Sequence, residues 1–215
     1  MELAPDRALF MAKSSIDRTL HWDSVYESKD DSQWSWTQAA PSLSLALIGE
    51  ICKTGQVIDV GGGMSLLPAR LLDLGYSVTI LDVSEVAITR ARARLGTRSN
   101  QVRWIVADVT ANPELGTYDV WHDRAVFHFL VDQADRDAYA TLLARTISIG
   151  GHAVIATFAL DGPERCSGLE VRRYSGLSLA KELGTHFKLL KSVPEMHATP
   201  WGATQSFQYG VFERV

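Results

Sequence analysis

Residues 57–65, VIDVGGGMS, constrain the fold of this chain more than any other stretch. An apolar segment runs into three consecutive glycines, and a second apolar segment, LLPARLLDLG, follows at once. This order predicts a buried strand, a tight turn and a helix. Because glycine has no Cβ, the chain can turn sharply there and a ligand can lie close to the main chain. The stretch is therefore typical of a cradle for a nucleotide-type ligand.

Strand and helix patterns alternate from this point along the chain. Short apolar runs predict strands at residues 56–60, 77–81, 102–106, 118–122 and 152–160. Helices are expected between them, at residues 66–74, at 84–96 with Ser84 as N-cap, and from about 135 to 148, ending at Gly150 and Gly151. Strands that are joined by helices pair parallel and are covered on both faces. The sequence therefore predicts a doubly wound α/β fold.

The C-terminal part departs from this alternation. A helix is expected between Ser175 and Gly184, and strands at residues 187–192 and 206–215 then follow one another without a helix. Adjacent strands without a crossover helix pair antiparallel. The expected sheet has seven strands, is mostly parallel and ends in an antiparallel hairpin.

Length and composition favour one domain without nucleic-acid or membrane partners. The chain has 215 residues, 46% of them hydrophobic, a formal net charge of -4 and a pI near 5.8. Nucleic-acid binding needs clustered cations, which this balance does not favour. Cys52 and Cys166 provide neither a disulfide framework nor a metal site, which suggests a cytoplasmic location. The sequence has neither an apolar run long enough to suggest membrane insertion nor a leader-like segment that would suggest export.

The expected single domain divides into two parts. Residues 1–55 are expected to form an N-terminal helical lid, and residues 56–215 the α/β core. Within the lid, helices are expected at 14–28 and from Ser42 to near Gly55, on either side of a polar loop that carries aromatic residues.

The residues around the glycines distinguish between types of nucleotide ligand. A dinucleotide cradle has the pattern GxGxxG, but Leu66 stands in the place of its third glycine. Asp59 lies inside the first strand, two residues before the turn. A carboxylate there would repel a pyrophosphate, whereas it can receive the ammonium group of an amino-acid ligand. An NAD dehydrogenase is therefore disfavoured.

The run Asp59-Val60-Gly61-Gly62-Gly63 resembles the first motif, E/D-x-G-x-G-x, of the class I S-adenosylmethionine-dependent methyltransferases. The resemblance covers residues 56–215 and implies an enzyme with a Rossmann-like methyltransferase fold and S-adenosyl-L-methionine as its cofactor. It further implies a set of cofactor-binding residues: Asp59 with Gly61, Gly62 and Gly63, Asp82 at the ribose, Asp108 at the adenine, Asp123 at the methionine end, and in addition Val83, Val109 and Trp36.

The segment WHDRAVFHFL, residues 121–130, resembles the small-molecule branches of the family, which act on thiopurines, thiols, tellurite or trans-aconitate. It lacks the N/D-P-P-Y/F motif of the DNA adenine enzymes. The resemblance implies a small-molecule acceptor with a thiol or other soft atom, a carboxylate or a hydroxyl, and the chain is expected to be a monomer or homodimer. A protein lysine methyltransferase and a non-catalytic S-adenosylmethionine-binding module remain the alternatives.

Candidate catalytic residues surround the expected site of methyl transfer. His128 is interpreted as a general base or as a group that orients the acceptor, with His122 and Asp123 beside it. The alternative for His128 is a buried histidine that packs with Phe127 and Phe129.

Acceptor-binding residues are expected from three parts of the chain: Tyr26 in the lid, Phe127 after the fourth strand, and Cys166, His197 and Trp201 in the C-terminal loops. The aromatic residues of the lid can attract a sulfonium cation, or they can simply attach the first helices to the sheet. Cys166 and His197 alone do not make a metal site.

Overall fold

The computed structural model describes residues 17–28, Asp30 and residues 33–215. The strands in this part are β1 (Gln56–Val60), β2 (Ser77–Asp82), β3 (Val102–Val106), β4 (Tyr118–Arg124), β5 (Ile147–Phe158), β6 (Arg165–Cys166), β7 (Leu169–Glu170), β8 (Phe187–Ala198) and β9 (Thr204–Arg214). The α-helices are α1 (Arg18–Ser28), α2 (Ser42–Ile51), α3 (Leu67–Asp73), α4 (Glu85–Leu95), α5 (Gln133–Thr146) and α6 (Gly176–Leu183). No helix in these ranges is long and apolar enough to cross a membrane. The first part of the predicted lid, residues 1–16, lies outside the described residues.

Seven strands form one sheet in the order β3-β2-β1-β4-β5-β9-β8. Strands β1 to β5 pair parallel, and β9 pairs antiparallel with both β5 and β8. The predicted fold class, with its C-terminal hairpin, is confirmed. The chain moves outward from β1 to β3 and then returns to β4, so β1 and β4 are neighbours at the point where the strand order reverses. Ligands of open α/β sheets bind at the carboxyl ends of the strands at such a point.

Both faces of the sheet are covered, as parallel strands require. Val57 and Ile58 are neighbours in β1 that point to opposite faces, and both are fully buried. One core lies between the sheet and the helices α5 and α6, and the other lies between the sheet and the helices α2 and α3. Continuous apolar runs in the sequence therefore correspond to strands that are buried on both sides.

The expected helix end at Gly150 and Gly151 is wrong. Helix α5 ends at Thr146, and both glycines lie inside β5, which begins at Ile147. Ile147 is buried and pairs with Tyr118, so its β-branched side chain starts a strand instead of continuing the helix. A Cβ on Gly151 would lie 3.0 Å from the carbonyl oxygen of Asp119, which places this glycine at the irregularity between β4 and β5.

Strand β8 also extends beyond its expected end at residue 192, as far as Ala198. It contains Pro194, which has no N–H to donate. Because β8 is an edge strand, it can include a proline without interrupting the interior of the sheet.

A buried hydrogen-bond pair connects α5 to the centre of the sheet. The Trp121 indole Nε1–H donates to the Tyr139 hydroxyl at 2.7 Å, and that hydroxyl donates to Asp123 Oδ2, also at 2.7 Å. All three side chains are fully buried. Tyr139 therefore satisfies one donor and one acceptor that water cannot reach.

Replacing Tyr139 by phenylalanine should lower the free energy of unfolding by about 1–3 kcal/mol, because an indole N–H and a carboxylate oxygen each lose a partner. Urea denaturation of the wild type and of Tyr139→Phe measures the difference. A loss near zero would show that the two groups find other partners.

Candidate active site

The turn after β1, residues 61–63, is packed so closely that it excludes side chains. Gly61 has a φ of 67°, and a Cβ there would lie 2.1 Å from a methyl carbon of Val126. A Cβ on Gly62 would lie 2.3 Å from Asp59 Oδ2, and a Cβ on Gly63 would lie 2.7 Å from Asp82 Oδ2. The three glycines thus bring the main chain against two buried carboxylates.

Asp59 has one paired and one free carboxylate oxygen. Its Oδ1 lies 2.7 Å from His122 Nδ1, whereas its Oδ2 has no hydrogen-bond donor among the described residues. The carboxylate is 2% exposed, and it borders a cavity of about 280 Å³ together with Gly61 and Gly62. An unpaired buried carboxylate oxygen is costly. It fits the ammonium group of the methionine part of S-adenosylmethionine.

Asp82 lies at the end of β2 and holds the glycine turn. It accepts the Gly63 N–H at 3.0 Å and the Ser84 N–H at 2.9 Å. Burial raises the pKa of Asp82 to about 6, although these two amides act in the opposite direction. Val83 follows it and is half-buried. Each carboxylate oxygen keeps a second lone pair, so the group can still accept hydroxyls.

Asp108 accepts hydrogen bonds on both oxygens. Oδ1 accepts from the amide and hydroxyl of Thr110 at 2.8 and 2.7 Å, and Oδ2 accepts from the Arg18 guanidinium at 3.0 Å. Burial alone would raise the pKa of Asp108, but these hydrogen bonds and the Arg18 charge lower it below its ordinary value. Val109 is buried in the core beneath this turn.

Asp123 supports the turn that follows β4. Besides Tyr139, it accepts the Val126 N–H at 2.8 Å and the Phe127 N–H at 3.1 Å. Burial raises its pKa to about 6, although these donors lower it. Phe127 itself is fully buried, with its ring against Tyr139 and Tyr174. The structure thus places Asp123 and Phe127 in the interior, and their roles toward the ligands stay predictions.

His128 is fully buried between the rings of Phe129 and Phe158. Its Nδ1 accepts the Phe158 N–H at 3.2 Å, so the ring proton is on Nε2, for which the described part of the chain offers no acceptor. Burial, aided by the charge of Arg124, lowers its pKa to about 3. The ring is neutral at physiological pH.

An aromatic cluster borders the cavity beside the glycine turn, and it consists of Trp22, Tyr26, Trp34 and Trp36 from the N-terminal segment and Phe129 from the turn after β4. Helix α1 is attached to the carboxyl edge of the sheet, since Asp23 accepts the Ser84 hydroxyl at 2.6 Å and Arg18 binds Asp108. Tyr26 and Trp36 both line the 280 Å³ cavity. The aromatic residues therefore attach the lid to the sheet and also form a wall of the site.

A second, more open cavity of about 390 Å³ lies on the other side of Trp34 and Trp36. Cys166 and Trp201 line it, the thiol buried and the indole 60% exposed. His197 is buried nearby, and its Nε2 lies 2.7 Å from the carbonyl oxygen of Ser35. Burial, together with the Arg124 charge, lowers the pKa of His197.

Residues 57–151 match a family model described as a methyltransferase domain. This segment resembles the methyltransferase domains that the family model describes. The match confirms the prediction of a class I methyltransferase, an enzyme that uses S-adenosylmethionine as its cofactor. It leaves the type of acceptor open.

Among curated proteins, this chain resembles the eEF1A lysine and N-terminal methyltransferase of Danio rerio, with 26% identity over 146 residues. The alignment covers 66% of this chain and 21% of that protein, so the chain spans about a fifth of the length of this relative. The single-domain organisation therefore stays a prediction.

Two solved structures share the fold. The 1,6-didemethyltoxoflavin-N1-methyltransferase of Burkholderia thailandensis, with 1,6-didemethyltoxoflavin and S-adenosylhomocysteine bound, has a TM-score of 0.75 at 23% identity. The alignment covers 99% of this chain and 94% of that one. The N-methyltransferase NodS of Bradyrhizobium japonicum, in complex with S-adenosylhomocysteine, has a TM-score of 0.72 at 15% identity. The alignment covers 92% of this chain and 99% of NodS.

Sequence reasoning missed several residues of the site. Arg124 lines the 280 Å³ cavity and is attached to Tyr209, while Ser44 is attached to His122. Arg18, whose guanidinium pairs with the Asp108 carboxylate, was also missed. The alternation along β4 could have identified Arg124, because it shares a strand face with His122. The other contacts join distant segments and have no local signal.

The buried ring of His128 should make the folded protein sensitive to acid. In the unfolded chain the ring takes up a proton near pH 6.5, whereas in the folded protein it does so only near pH 3. The stability that the neutral ring contributes is therefore complete above about pH 6.5 and is lost as the pH falls toward 3.

Relative to His128→Asn, the wild type should lose roughly 2 kcal/mol of unfolding free energy between about pH 7.5 and about pH 5. Urea denaturation at both pH values gives this difference. Equal pH dependence of the two proteins would mean that His128 is protonated normally in the folded state.

Proposed function

We propose that the chain transfers the methyl group of S-adenosylmethionine to a small-molecule nucleophile: a thiol or other soft atom, a carboxylate or a hydroxyl. The observation that carries the proposal is the free Oδ2 of Asp59, buried at the edge of a cavity behind an aromatic wall. The bound cofactor supplies a methyl group that is already activated by its positive sulfur. The protein then has to bind, align and keep water away from the reacting atoms.

Different residues of the chain bind different parts of the cofactor. Asp59 Oδ2 receives the ammonium group, and Asp82 accepts the ribose hydroxyls. Asp108 Oδ2 accepts one N–H from Arg18 and keeps a second lone pair for the adenine amino group. The faces of Tyr26 and Trp36 attract the sulfonium charge.

The properties of His128 support a positioning role rather than that of a general base. A base with a pKa of about 3 holds a proton poorly at neutral pH, so it cannot deprotonate an acceptor efficiently. Its Nε2–H has no acceptor among the described residues and is left as a hydrogen-bond donor. Asp123 holds the amides of the turn that presents His128. The acceptor therefore enters as a nucleophile that is already deprotonated or is soft enough to react without a base.

The size and charge of the two cavities favour a small and non-cationic acceptor. Their volumes of about 280 and 390 Å³ suit small ligands. Arg124 and Arg94 accompany Asp59 in the first cavity, and Arg165 contributes the one charged lining side chain of the second within the described residues. Within the described residues, the lining of the second cavity offers no carboxylate to a lysine ammonium. Cys166 and Trp201 line the second cavity, and we place the acceptor against them, with His197 behind.

The second candidate is a protein methyltransferase. It is favoured by the curated relative, which is an eEF1A lysine and N-terminal methyltransferase at 26% identity. The two candidates share the cofactor site and differ only in the acceptor.

Cofactor binding can be tested by calorimetry. S-adenosylhomocysteine should bind at about pH 7.5, and NAD should not. The affinity should fall by up to about tenfold per pH unit below about pH 6, because the ionised Asp82 accepts the ribose hydroxyls and its protonated form does so poorly. Binding of NAD alone would overturn the proposed function.

Asp59→Asn should weaken S-adenosylhomocysteine binding by about tenfold or more, because a charged hydrogen bond to the ammonium group is lost. Asp119→Asn is the matched control, since in the described part of the chain the Asp119 carboxylate accepts one hydrogen bond, from the Gln56 N–H at 2.8 Å near the start of β1. Equal affinities of Asp59→Asn and wild type would exclude the assigned role of Asp59.

A tritiated-methyl transfer screen separates the two acceptor classes. Thiols, phenols, carboxylic acids and soft anions form one arm, and eEF1A protein together with its N-terminal peptide forms the other. We expect label in the small-molecule arm. If only eEF1A became labelled, the proposed small-molecule acceptor would be wrong and the acceptor would be a protein.

A further inference from the structure

Beneath the 280 Å³ cavity, side chains from α2, β1, β4 and β9 form one continuous line of hydrogen bonds. We name it the Arg124–Asp59 chain, and its members are, in order, Arg124, Tyr209, Ser44, His122 and Asp59. The successive donor–acceptor distances are 3.1, 3.3, 2.9 and 2.7 Å. Four of the five side chains are buried, and that of Arg124 is 9% exposed.

The last member fixes the direction of the bonds in the chain. A carboxylate can only accept, so His122 carries a proton on Nδ1 and donates it to Asp59 Oδ1. In the neutral ring Nε2 then accepts from the Ser44 hydroxyl, and Ser44 Oγ in turn accepts from the Tyr209 hydroxyl. The Tyr209 oxygen accepts from Arg124 Nε–H, because a guanidinium can only donate.

The direction of the chain determines which oxygen of Asp59 is available. Oδ1 is held by His122 at 2.7 Å, and Oδ2 stays without a donor at the wall of the cavity. Aligned hydrogen bonds polarise one another, which strengthens the last bond of the series. Rotation of the carboxylate would break that bond, so Oδ2 is fixed in orientation.

The other end of the chain is attached to the lid. Arg124 also donates to the carbonyl oxygen of Trp36 at 3.1 Å, and it lies 3.5 Å from Glu195 Oε2. Glu195 in turn accepts the side-chain N–H of Gln38 at 3.2 Å. The segment that covers the cavity is thus connected to the carboxylate beneath it.

We propose that the Arg124–Asp59 chain positions Asp59 Oδ2 for the ammonium group of the cofactor. This inference rests on the proposed function. Ser44 and Tyr209 lie at the second and third bonds from Asp59, so they are positioning residues. Their hydroxyls should matter for ligands with the amino-acid part and not for ligands without it.

The test compares two ligands on variants that each lose one hydroxyl. Ser44→Ala and Tyr209→Phe should bind S-adenosylhomocysteine about fivefold or more weakly than the wild type, because the orienting hydrogen bonds are lost. The same variants should bind 5′-methylthioadenosine, which lacks the ammonium group, with unchanged affinity. A general loss of structure would weaken both ligands alike.

Tyr174→Phe is the matched control. Tyr174 is also buried and its hydroxyl accepts from an arginine, Arg172 Nε–H at 3.1 Å, but it lies in the core on the opposite face of the sheet. This variant should bind both ligands as the wild type does.

The outcomes separate this inference from the proposed function. Failure of the wild type to bind S-adenosylhomocysteine would overturn the proposed function. Normal wild-type binding with equal loss for both ligands, or with no loss, would overturn the role of the chain. Nitrogen-15 NMR of labelled histidine gives an independent measurement, since His122 should carry its proton on Nδ1. A proton on Nε2 would contradict the direction of the chain even if a variant failed to fold.

Discussion

The burial of three carboxylates at the carboxyl edge of the sheet is the constraint on which the rest of the site depends. Asp59, Asp82 and Asp123 are each at most 5% exposed, and a buried charge is tolerated only when donors surround it. Asp82 and Asp123 receive main-chain amides from the turns beside them. Among residues 17–28, 30 and 33–215, Asp59 receives one donor. Asp82 and Asp123 therefore hold the turns of the site in place. Asp59 keeps one oxygen without a donor, and a cation can bind there.

The strand period explains why three adjacent residues of β4 have different roles. His122 and Arg124 point to the face of the sheet that carries α2, where they join the Arg124–Asp59 chain together with the Tyr209 side chain of β9. Asp123 points to the opposite face, where Tyr139 of α5 donates to it. Successive side chains of a strand alternate between the two faces of the sheet. His122 and Arg124 therefore lie beside the cavity, whereas Asp123 supports the turn that follows β4.

The order of strands and helices, the antiparallel hairpin and the N-cap role of Ser84 were predictable because each depends on a local pattern. The location of Asp59 and Asp82 followed as well, since the ends of neighbouring parallel strands meet at one edge. The bond between Ser44 and Tyr209 joins residues 165 positions apart, so no local pattern could reveal it. The helix end predicted at Gly150 was wrong because glycine is common at helix ends and also occurs within strands, where it relieves crowding.

The close contact between Gly61 and Val126 limits where this domain can change its acceptor. Because a Cβ at Gly61 would overlap the Val126 side chain, the turn after β1 and the turn after β4 occupy complementary space. A substitution in either turn alters the other and so disturbs the cofactor site. Trp201 and Arg165 border the second cavity from the C-terminal loops and are exposed. Under the proposed function, selection or engineering for a new acceptor would therefore act on these loops while the methyl donor site stays intact.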